Sequence, residues 1–230
     1  MKRTLMILAA LTVIANIGSA SILPCTSDTA ANYVANFQGI NNACIVGDKL
    51  FYNFNILTTS HLATGPTNAQ ITIVGDPSNP YEPGLLFSSN GWSVSGTATT
   101  SAIKIDTNIT FDVSVVGDLL LMIDTSLSFD QTNHSTGGGS SDIAELVTLP
   151  SGGVLIGVDS NNGPFTTVLH FPPVSHITVN KDLIVQISPG TTGTASITAF
   201  REGFSEVPEP FTATLFGTGL AGLAFFRRRR

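Results

Sequence analysis

From residue 49 to residue 200 the chain is a succession of short apolar or alternating runs, each closed by Gly, Asn, Asp, Ser or Pro. Apolar side chains at every second position bury one face of a strand, and runs of four to eight residues are too short for most helices. Many such runs, regularly punctuated by turn residues, can bury their faces only against one another, as a sandwich or barrel. The predicted strands are Lys49 to Ile56, Ala69 to Val74, Gly84 to Ser88, Trp92 to Thr97, Ala102 to Asp106, Ile109 to Val115 and Leu119 to Asp124. Ile143 to Leu149, Val154 to Asp159, Thr166 to Phe171, Ile177 to Val179, Leu183 to Ser188 and Ala195 to Phe200 complete the set. Thr29 to Phe37 alone carries a helical period. The expected fold is all-β: a single antiparallel β-sandwich over residues 21–206, with jelly-roll and immunoglobulin-like topologies both open.

Three segments place Gly, Asn or Asp between apolar runs: Val46-Gly47-Asp48-Lys49-Leu50, Val116-Gly117-Asp118-Leu119-Leu120 and Val179-Asn180-Lys181-Asp182-Leu183. Each reads as a tight hairpin connection, because positive φ costs such residues little. Asp130 to Asp142, around Gly137-Gly138-Gly139, reads as a long surface loop. Cys25 and Cys44 are the two cysteines of the chain. In an oxidising compartment such a pair is expected to form a disulfide, contributing about 3 kcal/mol through loop closure and pinning the N-terminal segment to the first strand.

Charge narrows the partners. Residues 21–207 hold 15 acidic side chains against four basic ones, Lys49, Lys104, Lys181 and Arg201, a formal net charge of −11. A surface of that sign repels nucleic acid and anionic headgroups, so nucleic-acid binding is set aside.

The remaining basic residues sit at the two ends. Lys2 and Arg3, the apolar run Leu5 to Ile17 and the small residues Gly18-Ser19-Ala20 form the three parts of a secretory signal peptide over residues 1–20. Cleavage between Ala20 and Ser21 is expected, with the Sec translocon and signal peptidase as transient partners. Residues 207–230 read Val207-Pro208-Glu209-Pro210, then a mostly apolar run from Phe211 to Phe226, then Arg227, Arg228, Arg229 and Arg230. As a helix, sixteen residues at about 1.5 Å each reach about 24 Å, short of the roughly 30 Å of a bilayer core. The arginines hold that end on the cytoplasmic side and leave the body outside.

This ending resembles the PEP-CTERM sorting signal: the Pro-Glu-Pro motif, the short hydrophobic helix and the terminal arginines occur in order at the end of the chain. The resemblance implies recognition by exosortase, an integral-membrane enzyme, and removal of the tail near Pro208 to Pro210. It implies an inner-membrane-anchored precursor and a mature form at the cell surface or outside the cell, in a bacterium that makes exopolysaccharide. Cys25 with Cys44-Ile45-Val46-Gly47-Asp48, and the stretch from Val179 through Phe200, are similar to the opening and closing parts of such exported proteins.

Within the body, chemistry is sparse. No G-x-S-x-G nucleophile elbow occurs, and His61, His134, His170 and His176 form no H-E-x-x-H pair. Asp106, Asp112, Asp118, Asp124 and Asp130 recur every six residues and read as solvated edges and turns that discourage strand-to-strand aggregation. Asp159-Ser160-Asn161-Asn162-Gly163 is a calcium-like alternation of oxygen donors, with Asp159 and Asn161 as candidate ligands, but it lacks the closing glutamate of an EF-hand. Trp92, Tyr52 and Tyr81 are candidates for a sugar-stacking platform, although Trp92, in an alternating run, suits a core anchor better. No catalytic residue, metal or cofactor is expected. The function expected is that of an exported surface or matrix protein, structural, adhesive or associated with exopolysaccharide; a carbohydrate-binding module and a secreted hydrolase are the alternatives.

Overall fold

A computed structural model describes residues 22–117, 120–129, 134–160 and 166–208. The signal segment, residues 209–230 and Asn161 lie outside the described residues, as do Asp118 and Asp130.

Among the described residues, sixteen strands form two large sheets and one small one. The seven-stranded sheet runs β1 (Leu23–Pro24), β3 (Cys44–Val46), β4 (Lys49–His61), β8 (Ile103–Val115), β14 (His176–Ile187), β11 (Gly139–Thr148), β12 (Val154–Ser160). The six-stranded sheet runs β13 (Thr166–Val174), β9 (Leu120–Phe129), β16 (Ala199–Pro208), β6 (Gly84–Ser88), β5 (Thr72–Asp76), β2 (Asp28–Thr29). β10 (His134–Gly137), β15 (Thr191–Ser196) and β7 (Ser93–Ala98) make the third sheet. Every pairing is antiparallel except β1 with β3. The two large sheets face each other across a common apolar core, in the manner of a sandwich.

That core is built by alternation. Ile105, Ile109, Phe111 and Val113 of β8 and Ile177, Val179, Leu183, Val185 and Ile187 of β14 point inward from one sheet, and Leu85, Phe87, Leu127, Phe200 and Phe204 meet them from the other. Trp92 sits fully buried where the small sheet closes the end of the sandwich, its indole N–H donating to Thr107 Oγ1 at 3.0 Å.

The Cys25–Cys44 disulfide is formed and ties the N-terminal segment to β3. Helix α1 (Ala30–Asn36) follows, with Thr29 as its cap accepting from the Asn32 amide, and its buried Tyr33 donates to the Thr26 carbonyl at 2.8 Å.

Four expectations fail for identifiable reasons. Residues 179–183 are the middle of β14 and not a hairpin turn: Asn180 and Asp182 face outward among polar neighbours, and Lys181 takes an inward position beside a carboxylate. Residues 103–115 are one strand, because Thr107 faces inward to bond Trp92 while Asn108 faces outward to bond Asn180. Most of the expected loop 130–142 is strand: β10 ends at Gly137 and β11 begins at Gly139. The three glycines mark a close crossing, since a Cβ on Gly138 would strike the Thr191 side chain and one on Gly139 the Thr194 carbonyl. Last, the segment 195–200 divides, β15 ending at Ser196 in the small sheet and β16 starting at Ala199 in the six-stranded sheet.

Candidate functional site

Two places concentrate polar chemistry, the outer face of the seven-stranded sheet and a cluster inside the sandwich.

The outer face is made by the residues that alternate with the core positions of β4, β8 and β14. β8 presents Lys104, Asp106, Asn108, Thr110, Asp112 and Ser114; β14 presents His176, Thr178, Asn180, Asp182 and Gln186. Their side chains bond one another across the strands. Asn108 Nδ2 donates to Asn180 Oδ1 at 2.9 Å, Asn180 Nδ2 to Thr110 Oγ1 at 3.2 Å, and Thr110 Oγ1 to Asn108 Oδ1 at 3.3 Å, closing a ring of three. Asp112 accepts from Thr178 and from Asn53 Nδ2, each at 2.6 Å. Asn53 is the residue of a β-bulge in β4 and takes a φ of 56°, a conformation that asparagine tolerates better than most residues. Beside it the Tyr52 hydroxyl meets Ser114 Oγ at 2.9 Å and the Tyr52 ring lies nearly parallel to His176.

Asp182 shares a hydrogen bond with Asp106 on this face. Burial first, and then the neighbouring Asp106 carboxylate, push its carboxyl above the ordinary value of 3.8, with Lys104 opposing. Its stabilising effect is therefore fully present below 3.8 and is lost as pH rises through the raised folded value, because the unfolded chain gives up the proton first. Asp182→Asn keeps an N–H donor toward Asp106 at every pH. The variant should melt above the wild type at about pH 7 and level with it at about pH 3, a difference read directly from paired thermal melts.

The interior cluster joins the two large sheets. Lys181 of β14 and Glu145 of β11 are cross-strand partners, with Lys181 Nζ 2.9 Å from Glu145 Oε2. Lys181 Nζ also touches Glu202 Oε2 of β16, and Thr125 of β9 donates to both glutamates. Lys181 and Glu202 are 0% exposed and Glu145 is 1% exposed. Burial, together with the Glu145 charge, raises the Glu202 carboxyl well above its ordinary range, with Lys181 only partly offsetting. Burial alone would lower the Lys181 ammonium, but Glu145 and Glu202 outweigh it and the net direction is upward.

Two further pairings, partly exposed, clamp β16. Lys49, 0% exposed, bonds Asp48 and Glu206, and Arg201 bonds Asp76 and the Glu82 carbonyl. Three of the body's four basic residues are thus spent inside or against the sandwich, which leaves Lys104 among the acids and amides of the outer face. The Lys49 ammonium is lowered by burial, with Asp48 opposing.

The sequence-derived candidates scatter. Trp92 is core, Tyr52 is buried on the outer face, and Tyr81 stands 85% exposed in a loop, so the three do not form an aromatic platform. Asp106 and Asp112 share the outer face of β8 instead of marking separate turns, while Asp124 is buried in β9 against the exposed His170 ring, 3.4 Å away. His170 and His176 stand on either side of Pro172-Pro173, and both prolines lie within β13, an edge strand where missing N–H donors are tolerated. Asp159 pairs through its backbone with Ile143 in β12. Among the described residues no group of three or more His, Cys, Asp or Glu side chains is placed to hold a metal ion, and no helix is long and apolar enough to cross a membrane. Val207 and Pro208, the start of the Pro-Glu-Pro segment, are paired with β9 as the end of β16.

Lys181, Glu145 and Glu202 carry a signal in the sequence, which for Lys181 the turn composition around it masks. Each occupies the inward slot of an apolar alternation: Val179-x-Lys181-x-Leu183, Ile143-x-Glu145-x-Val147 and Phe200-x-Glu202-x-Phe204.

No protein-family model and no curated protein matches the sequence. Among solved structures, similarity is found to TmCBM61, a carbohydrate-binding module in complex with β-1,4-galactotriose, at 11% identity over 67% of this chain and 88% of that one, with a TM-score of 0.30. The enzymatically active domain of a bacteriophage tailspike protein is similar at 11% identity over 78% of this chain and 21% of that one, with a TM-score of 0.27. A xylan-binding domain from Paenibacillus barcinonensis gives 9% identity, 63% and 96% coverage and a TM-score of 0.19. Scores and identities this low carry no argument about this chain.

Proposed function

We propose that this chain is the precursor of an exported bacterial surface or matrix protein, processed by exosortase at its C-terminal tail, whose body is a non-catalytic module that contacts exopolysaccharide. The observation that supports the contact surface is the outer face of the seven-stranded sheet. Three neighbouring strands, spaced about 4.8 Å apart, present a level bed of amides, hydroxyls and carboxylates fixed by their own hydrogen bonds. Groups held in place before binding lose little entropy when they exchange partners with sugar hydroxyls, which are themselves donors and acceptors. With Lys104 as the one basic side chain of that bed and several aspartates around it, the surface suits a neutral polysaccharide better than an anionic one.

The export reading rests on the two ends of the sequence, and the sandwich supports it only through its disulfide, which needs an oxidising compartment to persist.

The test is a glycan array and a pull-down with the host's own exopolysaccharide, with and without calcium. Binding that is lost in Asn108→Ala and Asn180→Ala, while both variants melt as folded proteins, is the expected outcome. Absence of binding in both conditions would remove the glycan contact and leave a structural surface protein.

A further inference from the structure

We propose that Lys181 and Glu202 join in an internal amide bond, formed by the folded protein on itself with Glu145 as the proton carrier. The arrangement has the parts such a reaction needs. An amine nitrogen touches a carboxyl group of the opposite sheet, both side chains are sealed from water, and a second acid lies 2.9 Å from the same nitrogen. Glu202 Oε2 is buried with no hydrogen-bond donor of good geometry among the described residues, and Lys181 Nζ is in contact with it. Holding the two reacting groups in one place replaces a bimolecular encounter by an intramolecular one. Excluding water also removes the solvent that would reverse the bond.

The step balances without any co-reactant. The triad begins as ammonium, Glu145 carboxylate and Glu202 carboxylic acid, a neutral set in keeping with the burial-raised Glu202 carboxyl. Glu145 takes a proton from Lys181, and the free amine attacks Cδ of Glu202 to form the N–C bond. Glu145 then donates that proton to the departing hydroxyl and accepts the second proton from nitrogen. The C–O bond breaks and one water leaves. The products are a neutral amide and a protonated Glu145, with the same atoms and the same total charge as the start.

Position gives the bond a use. β16 is the strand that leads toward the Pro-Glu-Pro segment, and an amide from β14 to β16 would fasten it covalently to the opposite sheet. Lys49 with Glu206 and Asp48 serves as an internal control: the Glu206 and Asp48 side chains are 12% and 35% exposed, and among the described residues no second buried acid stands by to carry the proton.

The experiment is peptide mapping by tandem mass spectrometry on the full chain, expressed with its export signal and denatured before digestion with trypsin. The expected result is a branched peptide joining the β14 and β16 segments, lighter by one water than its two parts, with no cleavage after Lys181 and normal cleavage after Lys49. Glu145→Gln should abolish the branched peptide, and Lys181→Arg should abolish it while keeping the cation. Clean cleavage after Lys181 in folded wild-type protein, with only linear peptides on either side, would overturn the proposal whatever the variants do.

Discussion

Replacing Lys181 by methionine lowers the stability of the protein by about 3–5 kcal/mol, the cost of removing one partner from a buried ionic group. Methionine fills much of the lysine volume, so the loss is electrostatic: the Glu145 carboxylate, sealed from solvent, is left without a cation and with only Thr125 and the Glu202 carboxyl beside it. At roughly 2–4 °C per kcal/mol for a domain of this size, the melting temperature should fall by about 10 °C. Urea unfolding of wild type and variant side by side measures it. A companion variant makes the origin plain. Changing Lys181, Glu145 and Glu202 together to apolar residues of similar volume should recover most of the loss, because it removes the buried charges along with their partners. A triple variant as unstable as Lys181→Met would mean that the site matters through shape or through the amide bond that both variants lack, and not through charge. Should the amide bond be present, the triple variant would also lose that cross-link and recover less.

Trp92→Ala is the second large effect, at about 3–5 kcal/mol. The indole is fully buried, lies 6.0 Å from the Phe200 ring and donates to Thr107 Oγ1, so truncation opens a cavity where the small sheet meets the sandwich and removes a buried hydrogen bond. Thr107 keeps its contact with Thr58 Oγ1 at 3.0 Å, which limits the polar part of the cost. Trp92→Phe should therefore cost clearly less than Trp92→Ala, since it restores most of the apolar volume. Denaturant midpoints of the two variants decide this, and equal midpoints would show that the hydrogen bond, and not the packing, carries the effect.

Two of the expected strand breaks fail for one reason. Thr107-Asn108 and Asn180-Lys181-Asp182 have the composition of turns, but the period-two alternation on either side runs through them. In the folded chain these residues sit at the centre of the seven-stranded sheet, where Asn108 and Asn180 bond each other and Thr107 bonds Trp92. Cross-strand partners supply what a turn would otherwise supply. The triple glycine was misread for a related reason: its small size serves a close crossing of two chains, and sequence does not show what crosses.

What the sequence by itself determined is the class of fold, the disulfide between the two cysteines, and a short helix within Thr29 to Phe37. Each depends on local period or on compartment chemistry. The tertiary structure decided the rest. The order of strands in the sheets, the bed of Asn, Asp and Thr side chains on the outer face, and the meeting of Lys181 with Glu145 and Glu202 depend on contacts between residues far apart in the chain. Alternation fixes which face of a strand a side chain takes, but not which strand lies opposite. Whether a charged residue in a core position has a partner is settled only when the two sheets close on each other.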